Sequence, residues 1–364
     1  MLIPHTLDRI AKAAFAGALI FAPALLYADS FSQTNLVSNV PNMAPVTDPN
    51  LKNPWGVSFS TTSPFWVSNQ VTGNATLYNG AGTPVILPAG NPTIPGGNPT
   101  GQVFNAAGAG NFLVNGTAAN FIFATLNGTI AGWNGGATAV QMASTPGAVY
   151  TGLAMATNGG SPFIYAADAS GSIHVFNSSW TDVTATSFAG KFVDQNAIAG
   201  FTPYNIQLIG SNLFVTYAGT SGGYIDVYDT AGNFIKRFTT GGLLDSPWGL
   251  VIAPAGFGSF GNDLLVGNED SGEILAYDPN SGAFLGTIDG PDGQPLVNDG
   301  LWSLEVRTGG TGNDLNAVYF TAGINEEADG LFGKIDPVPE PASIFGTATG
   351  VIGLLLMRFR RSSC

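Results

Sequence analysis

Cysteine is nearly absent. The only one, Cys364, is the last of 364 residues, so no disulfide can form within the chain and the fold rests on packing alone. Histidine is almost as scarce, with only His5 and His174. Sites built from two or three histidines, such as a His₃ zinc, are excluded, and a Ser-His-Asp arrangement would have to use His174. That residue sits between Ile173 and Val175 in a β-prone run, where a structural role is expected. No thiol nucleophile exists before Cys364. Charge is sparse too, at 10% of residues, with a net charge of −13. Arg9 and Lys12 lie near the start and Arg358, Arg360 and Arg361 near the end, and between these groups six basic residues stand against 23 acids, a net charge of −17. Such a domain lacks the basic footprint of a nucleic-acid binder and would not dock on anionic lipid through charge. Phosphate-loop and dinucleotide fingerprints are also missing.

What the chain has in abundance is glycine, 50 residues, with 23 prolines and 45% hydrophobic residues. That is material for many turns and a large core. One pattern occurs six times: a glycine, a short β-prone run, an aromatic or aliphatic residue, then Asn or Asp. Clear copies are Gly171-Ser172-Ile173-His174-Val175-Phe176-Asn177, Gly223-Tyr224-Ile225-Asp226-Val227-Tyr228-Asp229 and Gly272-Glu273-Ile274-Leu275-Ala276-Tyr277-Asp278. The closing residues fall at Asn79, Asn134, Asn177, Asp229, Asp278 and Asp336. Periods of about 40 to 50 residues mark propeller blades, units too small to bury their own faces without stacked neighbours.

A second recurrence precedes the first: Asn53-Pro54-Trp55-Gly56-Val57, Ser246-Pro247-Trp248-Gly249-Leu250 and Gly300-Leu301-Trp302-Ser303-Leu304. With a β-rich run between the two patterns and another strand after the second, each unit holds four strands. The expected fold is all-β, a six-bladed β-propeller of four-stranded blades over residues 31–337. The sixth unit runs out of chain after three strands, because Pro337 follows Asp336 at once. The unpartnered stretch Thr34-Asn35-Leu36-Val37-Ser38-Asn39 is therefore expected to supply the missing outer strand and close the ring, which removes two sheet edges.

Both ends fall outside this repeat. Residues 1–28 combine Arg9 and Lys12, the apolar run from Ala13 to Ala22 and a small residue at Ala28, which reads as a secretory signal peptide. Residues 338–364 carry Pro339-Glu340-Pro341, an apolar stretch from Ala342 to Met357 and then Arg358, Arg360 and Arg361, a stop-transfer arrangement. This tail resembles the PEP-CTERM sorting signal of Gram-negative bacteria. The resemblance implies a transient transmembrane helix, recognition by an exosortase-type enzyme, and delivery to the cell envelope, the surface or the medium. The domain as a whole resembles NHL-type propellers. Thr47-Asp48-Pro49-Asn50-Leu51-Lys52-Asn53-Pro54-Trp55-Gly56 and Gly323-Ile324-Asn325-Glu326-Glu327-Ala328-Asp329-Gly330 look like an uncharacterised family of exported bacterial propellers. No activity comes with that resemblance.

In a propeller the innermost strands start at one mouth of the central channel, where ligands bind. Those starts carry Trp55, Asn205, Trp248 and Trp302 as candidate ligand contacts, and Asn53, Asn205, Asp245 and Asp299 as a candidate oxygen set for Ca²⁺. Two readings stand for each group. The Asn and Asp residues are either metal ligands or turn formers, and the indoles either stack on sugar or pack between blades. The acidic runs Asn268-Glu269-Asp270-Ser271-Gly272-Glu273 and Asn325-Glu326-Glu327-Ala328-Asp329-Gly330 read as solvated turns. Two functions follow: a non-catalytic binding or extracellular-matrix protein engaging exopolysaccharide, or a divalent-metal hydrolase or lactonase at the channel mouth.

Overall fold

The computed structural model describes residues 30–307 and 309–338. The signal peptide expected over 1–28 lies outside the described residues, as does the sorting tail from Pro339 onward. Among the described residues the fold is all-β, with one short 3₁₀ turn, Gly258–Phe260, as its only helix. No helix there is long and apolar enough to cross a membrane.

Six sheets follow one another around an axis. Their first strands are Pro54–Ser58, Pro99–Phe104, Tyr150–Asn158, Thr202–Ile209, Pro247–Ile252 and Leu301–Glu305. Each of these touches the first strand of the next sheet, and the sixth returns to the first, so together they wall the channel. Within each sheet the chain then meanders outward through antiparallel neighbours. The Trp-Gly pattern has a packing cause. A Cβ on Gly56 would lie 2.6 Å from the Thr100 carbonyl oxygen, and one on Gly249 would lie 2.4 Å from that of Trp302. Both clashes are with the backbone of the neighbouring inner strand, so only glycine lets adjacent blades close to this distance.

Blades two, four and five have four strands each. The first and third have three regular strands, where four were expected. After Tyr78 the chain carries Pro84, Pro88, Pro92 and Pro95, and it meets the first blade's outer edge only at the isolated bridges Tyr78↔Pro84 and Asn74↔Thr93. Proline has no N–H for a ladder, so a regular outer strand cannot form there. In the third blade the segment after Asn177 makes the single bridge Phe176↔Asp182 and then turns away.

The ring closes as the sequence implied. Phe31–Ser38 pairs antiparallel with Leu331–Pro337, from Phe31↔Pro337 to Ser38↔Leu331, with a bulge at Leu36. The Ser38 hydroxyl donates to the Gly330 carbonyl at 2.7 Å. A short parallel strand, Val46–Thr47, lies outside it, giving the sixth blade five strands. Apolar side chains fill the seams between blades. Leu36, Val37, Tyr319 and Phe332 of the sixth blade pack with Val57, Phe65, Val67 and Tyr78 of the first. Each such side chain contributes on the order of 1.5–3 kcal/mol by leaving water.

Candidate functional site

Three inner strands begin with proline, each preceded by a residue in the left-handed region, Asn53 (φ 42°), Asn98 (φ 48°) and Ser246 (φ 51°), and Gly300 (φ 62°) precedes a fourth. These turns bring the following aromatic residues to the axis. Trp55 and Trp302 stack with centroids 3.6 Å apart and planes 18° from parallel. Trp248 stands edge-on to both, at 6.3 and 5.9 Å, and Tyr204 packs beside Trp302 at 5.9 Å. The three indoles are 5%, 4% and 0% exposed in chain order, so their faces are taken up by one another. They form a floor across the channel, and what lies open to a ligand is the polar rim above it.

That rim is made of separate hydrogen-bonded groups. The Trp302 indole N–H donates to Asn53 Oδ1 at 2.9 Å. The Asn53 amide donates to Glu327 Oε2 at 2.9 Å and to Gln70 Oε1 at 3.2 Å, and the Gln70 amide continues to Asn98 Oδ1 at 3.3 Å. From the other side the Tyr204 hydroxyl donates to Glu269 Oε2 at 3.3 Å. The Ser246 hydroxyl donates to Asp270 Oδ2 at 2.6 Å. Glu269 and Glu327 are half-buried, and so are Tyr204, Gln70 and Asn98. Asn325, Glu326 and Glu327 hold φ values of 57°, 55° and 64° in succession, a conformation side-chain-bearing residues rarely adopt in a row. This tight turn places Glu327 against Asn53.

Burial pushes the Glu269 carboxyl up to about 7, and the negative charges of Asp270 and Glu327 push the same way. Glu327 is raised by burial and by Asp299 and Asp270, against the Asn53 hydrogen bond. Tyr204 is held well above its ordinary range, first by burial and then by Glu269 and Glu327. The rim is thus a site where carboxyls lose solvent and crowd one another. Elsewhere, burial lifts Asp226 to about 6 despite its bond to Arg237.

These shifts set the sign of the pH dependence. A carboxyl raised in the folded state contributes stability below its unfolded value, and that contribution is lost as pH rises through the folded value. For Asp226 and Glu269 the loss runs from about pH 4 to about 7. The Tm is therefore expected to be higher at pH 5 than at pH 8, and Glu269→Gln flattens the decline. Melting curves across that range check this, and a Tm that climbs toward pH 8 would be the contrary result.

Each of the candidate metal residues holds another partner in the fold. Asn53 Oδ1 is occupied by the Trp302 N–H. The Asn205 amide donates to the Trp248 carbonyl at 2.8 Å, and its Oδ1 lies against Gly152 of the third blade. Asp245 accepts the Gly222 N–H at 3.0 Å, and Asp299 accepts that of Glu326 at 3.3 Å. These contacts face different blades, and they do not make the converging set of six to eight oxygens that Ca²⁺ takes. Among the described residues, no group of three or more His, Cys, Asp and Glu is placed to hold a metal ion. His174 lies on the third strand of its blade, its ring bridging Asp168 at 3.3 Å and Asp182 at 3.0 Å. The Ser170 hydroxyl donates to Asp168 rather than to the ring.

Glu269 and Glu327 correct the reading of their two runs as solvated turns. Both stand in the turn between a blade's second and third strands, and in a meandering blade that turn opens on the same face as the start of the inner strand. The strand order carried this signal, but composition alone did not.

No protein-family profile matches the chain. By sequence it is 31% identical over 326 residues to the uncharacterized protein R648 of Acanthamoeba polyphaga mimivirus, covering 82% of this chain and 78% of that protein. It is 28% identical over 324 residues to protein L690 of the same virus, covering 82% and 84%. By structure it is similar to an auxiliary nutrient binding protein from Bacteroides ovatus, with TM-score 0.54 and 13% identity over 86% of this chain and 78% of that one. It is also similar to virginiamycin B lyase from Staphylococcus aureus, with TM-score 0.50 and 11% identity over 85% of this chain and 100% of that one. At such identities the structural likeness shows the fold alone.

Proposed function

We propose, from the premise that this chain belongs to one family with the uncharacterized mimivirus protein R648, that it is a binding propeller which holds a hydroxyl-rich ligand at the rim of its channel. One observation carries the reading: two half-buried, hydrogen-bonded polar groups, Glu327 with Gln70 and Asn98 through Asn53 and Glu269 with Tyr204, lie over a closed aromatic floor. Carboxylates and amides at partial exposure match the alternating donors and acceptors of a sugar chain, and the closed floor keeps the ligand at the surface. The net charge of −16 between the terminal segments favours a neutral polysaccharide over an anionic one. Export belongs to the same proposal, supported by the sequence of residues 1–28 and by Pro339-Glu340-Pro341 with the closing arginines. In this reading the domain works at the cell surface or in the surrounding matrix, after an exosortase-type enzyme has processed the tail.

A polysaccharide array probed with the purified protein tests the binding. Neutral glycans are expected to bind, and Glu327→Ala is expected to weaken them about tenfold, the loss of roughly one charge-assisted hydrogen bond. An array on which no glycan binds, or on which Glu327→Ala changes nothing, would remove the rim from consideration.

One observation favours a second reading, chemistry at the same mouth. A carboxyl held near 7 beside a tyrosine is placed for general acid–base work. The divalent-metal version of that reading, a hydrolase or lactonase, draws no support from Asn53, Asn205, Asp245 and Asp299, whose donors do not fit Ca²⁺. A Tm that rises with calcium and falls with chelator would restore it.

A further inference from the structure

At the opposite end of the channel, where the inner strands finish, lies a cavity of about 280 Å³ open to solvent past the exposed Leu208. Its polar groups come from four inner strands: Ser58 closes that of the first blade, Gln102 lies in that of the second, Gln207 in that of the fourth, and Glu305 closes that of the sixth. Phe59, Phe104 and Met155 give it an apolar wall. Ser58 and Gln102 are 8% and 5% exposed, yet among the described residues neither Ser58 Oγ nor Gln102 Oε1 has a hydrogen-bond partner. The Gln102 amide nitrogen is fully engaged, donating at 2.7 Å to the carbonyls of both Gly56 and Trp66. That fixes the side chain and leaves its oxygen as the free end. Buried acceptors are ordinarily satisfied, so two of them at one cavity call for a donor from outside.

Glu305 adds a carboxyl to the same wall. Burial pushes it up to about 8, against the Ser303 hydroxyl and the charge of Arg307. The Arg307 guanidinium is directed elsewhere: it donates to the Ser63 carbonyl at 2.7 Å and lies over the rings of Phe59 and Phe65. The cavity lining contains no Lys, Arg or His. It therefore presents oxygen acceptors and a carboxyl, with no cation of its own.

We propose that this cavity binds a small organic primary ammonium compound, with its three N–H bonds directed to Ser58 Oγ, Gln102 Oε1 and the Glu305 carboxylate and its alkyl body against Phe59, Phe104 and Met155. The volume falls just below the ~300–1,000 Å³ of drug-sized sites, which limits the ligand to a short chain. At pH 7 the Glu305 carboxyl of the empty cavity is mostly protonated, so binding the cation as an ion pair releases that proton to solvent.

Calorimetric titration of the protein with n-butylamine, and in parallel with n-butanol, tests this in two buffers of different ionisation enthalpy. The amine is expected to bind with release of close to one proton. Its affinity is expected to rise at least about tenfold from pH 6 to pH 8, as follows for a linked carboxyl raised well above its ordinary range. Glu305→Gln is expected to lower affinity at least tenfold and abolish the pH dependence. Ser58→Ala, which removes a buried hydroxyl without leaving a charge, is expected to lower it several-fold and stays informative if Glu305→Gln does not fold. Glu269→Gln, at the other mouth, leaves amine binding unchanged, so this site stands or falls separately from the rim. Butanol binding as well as butylamine, no binding of the amine at all, or full affinity in Glu305→Gln would each overturn the proposal.

Discussion

A chain that begins at Asn39, without the strand Phe31–Ser38, does not form a stable monomer. The strand supplies the outer neighbour of Leu331–Pro337 along seven paired positions. It also buries Phe31 and Val37 completely, Phe31 against Phe257 at 4.7 Å and Phe260 at 6.0 Å. Removing it exposes the edge of Leu331–Pro337 and strips the seams on either side of the sixth blade. Losing a side chain like Phe31 alone costs about 3–5 kcal/mol, and a domain holds only about 5–15 kcal/mol in all. The expected outcome is loss of the cooperative melt and aggregation through the bared edge. Circular dichroism and size-exclusion chromatography read both. Phe31→Ala in the full chain is the graded version, with a fall in unfolding free energy of about 3–5 kcal/mol. A truncated chain that melts cooperatively within a few degrees of the parent would mean that the ring does not depend on this closure.

Trp302→Ala is expected to lower stability by about 3–5 kcal/mol, and by more than Trp55→Ala. Both substitutions dissolve the same indole stack. Of the two, however, Trp302 holds a partner through its N–H, the Oδ1 of Asn53, while the Trp55 N–H is buried without one among the described residues. Trp302→Ala thus leaves a buried acceptor unmatched, which adds a cost of about 1–3 kcal/mol that Trp55→Ala does not incur. It also frees the Asn53 amide that positions Glu327, so glycan affinity at the rim should fall together with stability. Urea unfolding of the two variants side by side measures the difference. Equal losses would show that the Asn53 link contributes nothing.

The amino-acid pattern was enough to read the blades because a propeller repeats one packing problem six times. Gly56 and Gly249 recur before hydrophobic runs because each faces the backbone of the next inner strand. Tyr228 and Tyr277 recur before Asp because each blade needs a large buried apolar residue there, with a turn beyond it. The missing strand of the sixth blade was legible as a count, three runs where the others have a fourth. The blades with irregular outer edges were less so. Prolines at 84, 88, 92 and 95 are a local cause visible in sequence, while the loss in the third blade follows from how the segment after Asn177 turns back, which is not local.

Of the candidate site, the sequence determined that Trp55, Trp248 and Trp302 share one end of the channel, because each sits at the same place in its repeat. Only the tertiary structure decided that they stack on one another and close the channel, since the channel's width depends on how near six backbones approach. It likewise decided that Glu269 and Glu327, about sixty residues apart in a chain of sparse charge, meet over those rings with Tyr204. Strand periodicity reports which way a side chain faces within its own blade. Which residues of other blades it meets is set by the closure of the ring, a property that no single repeat contains.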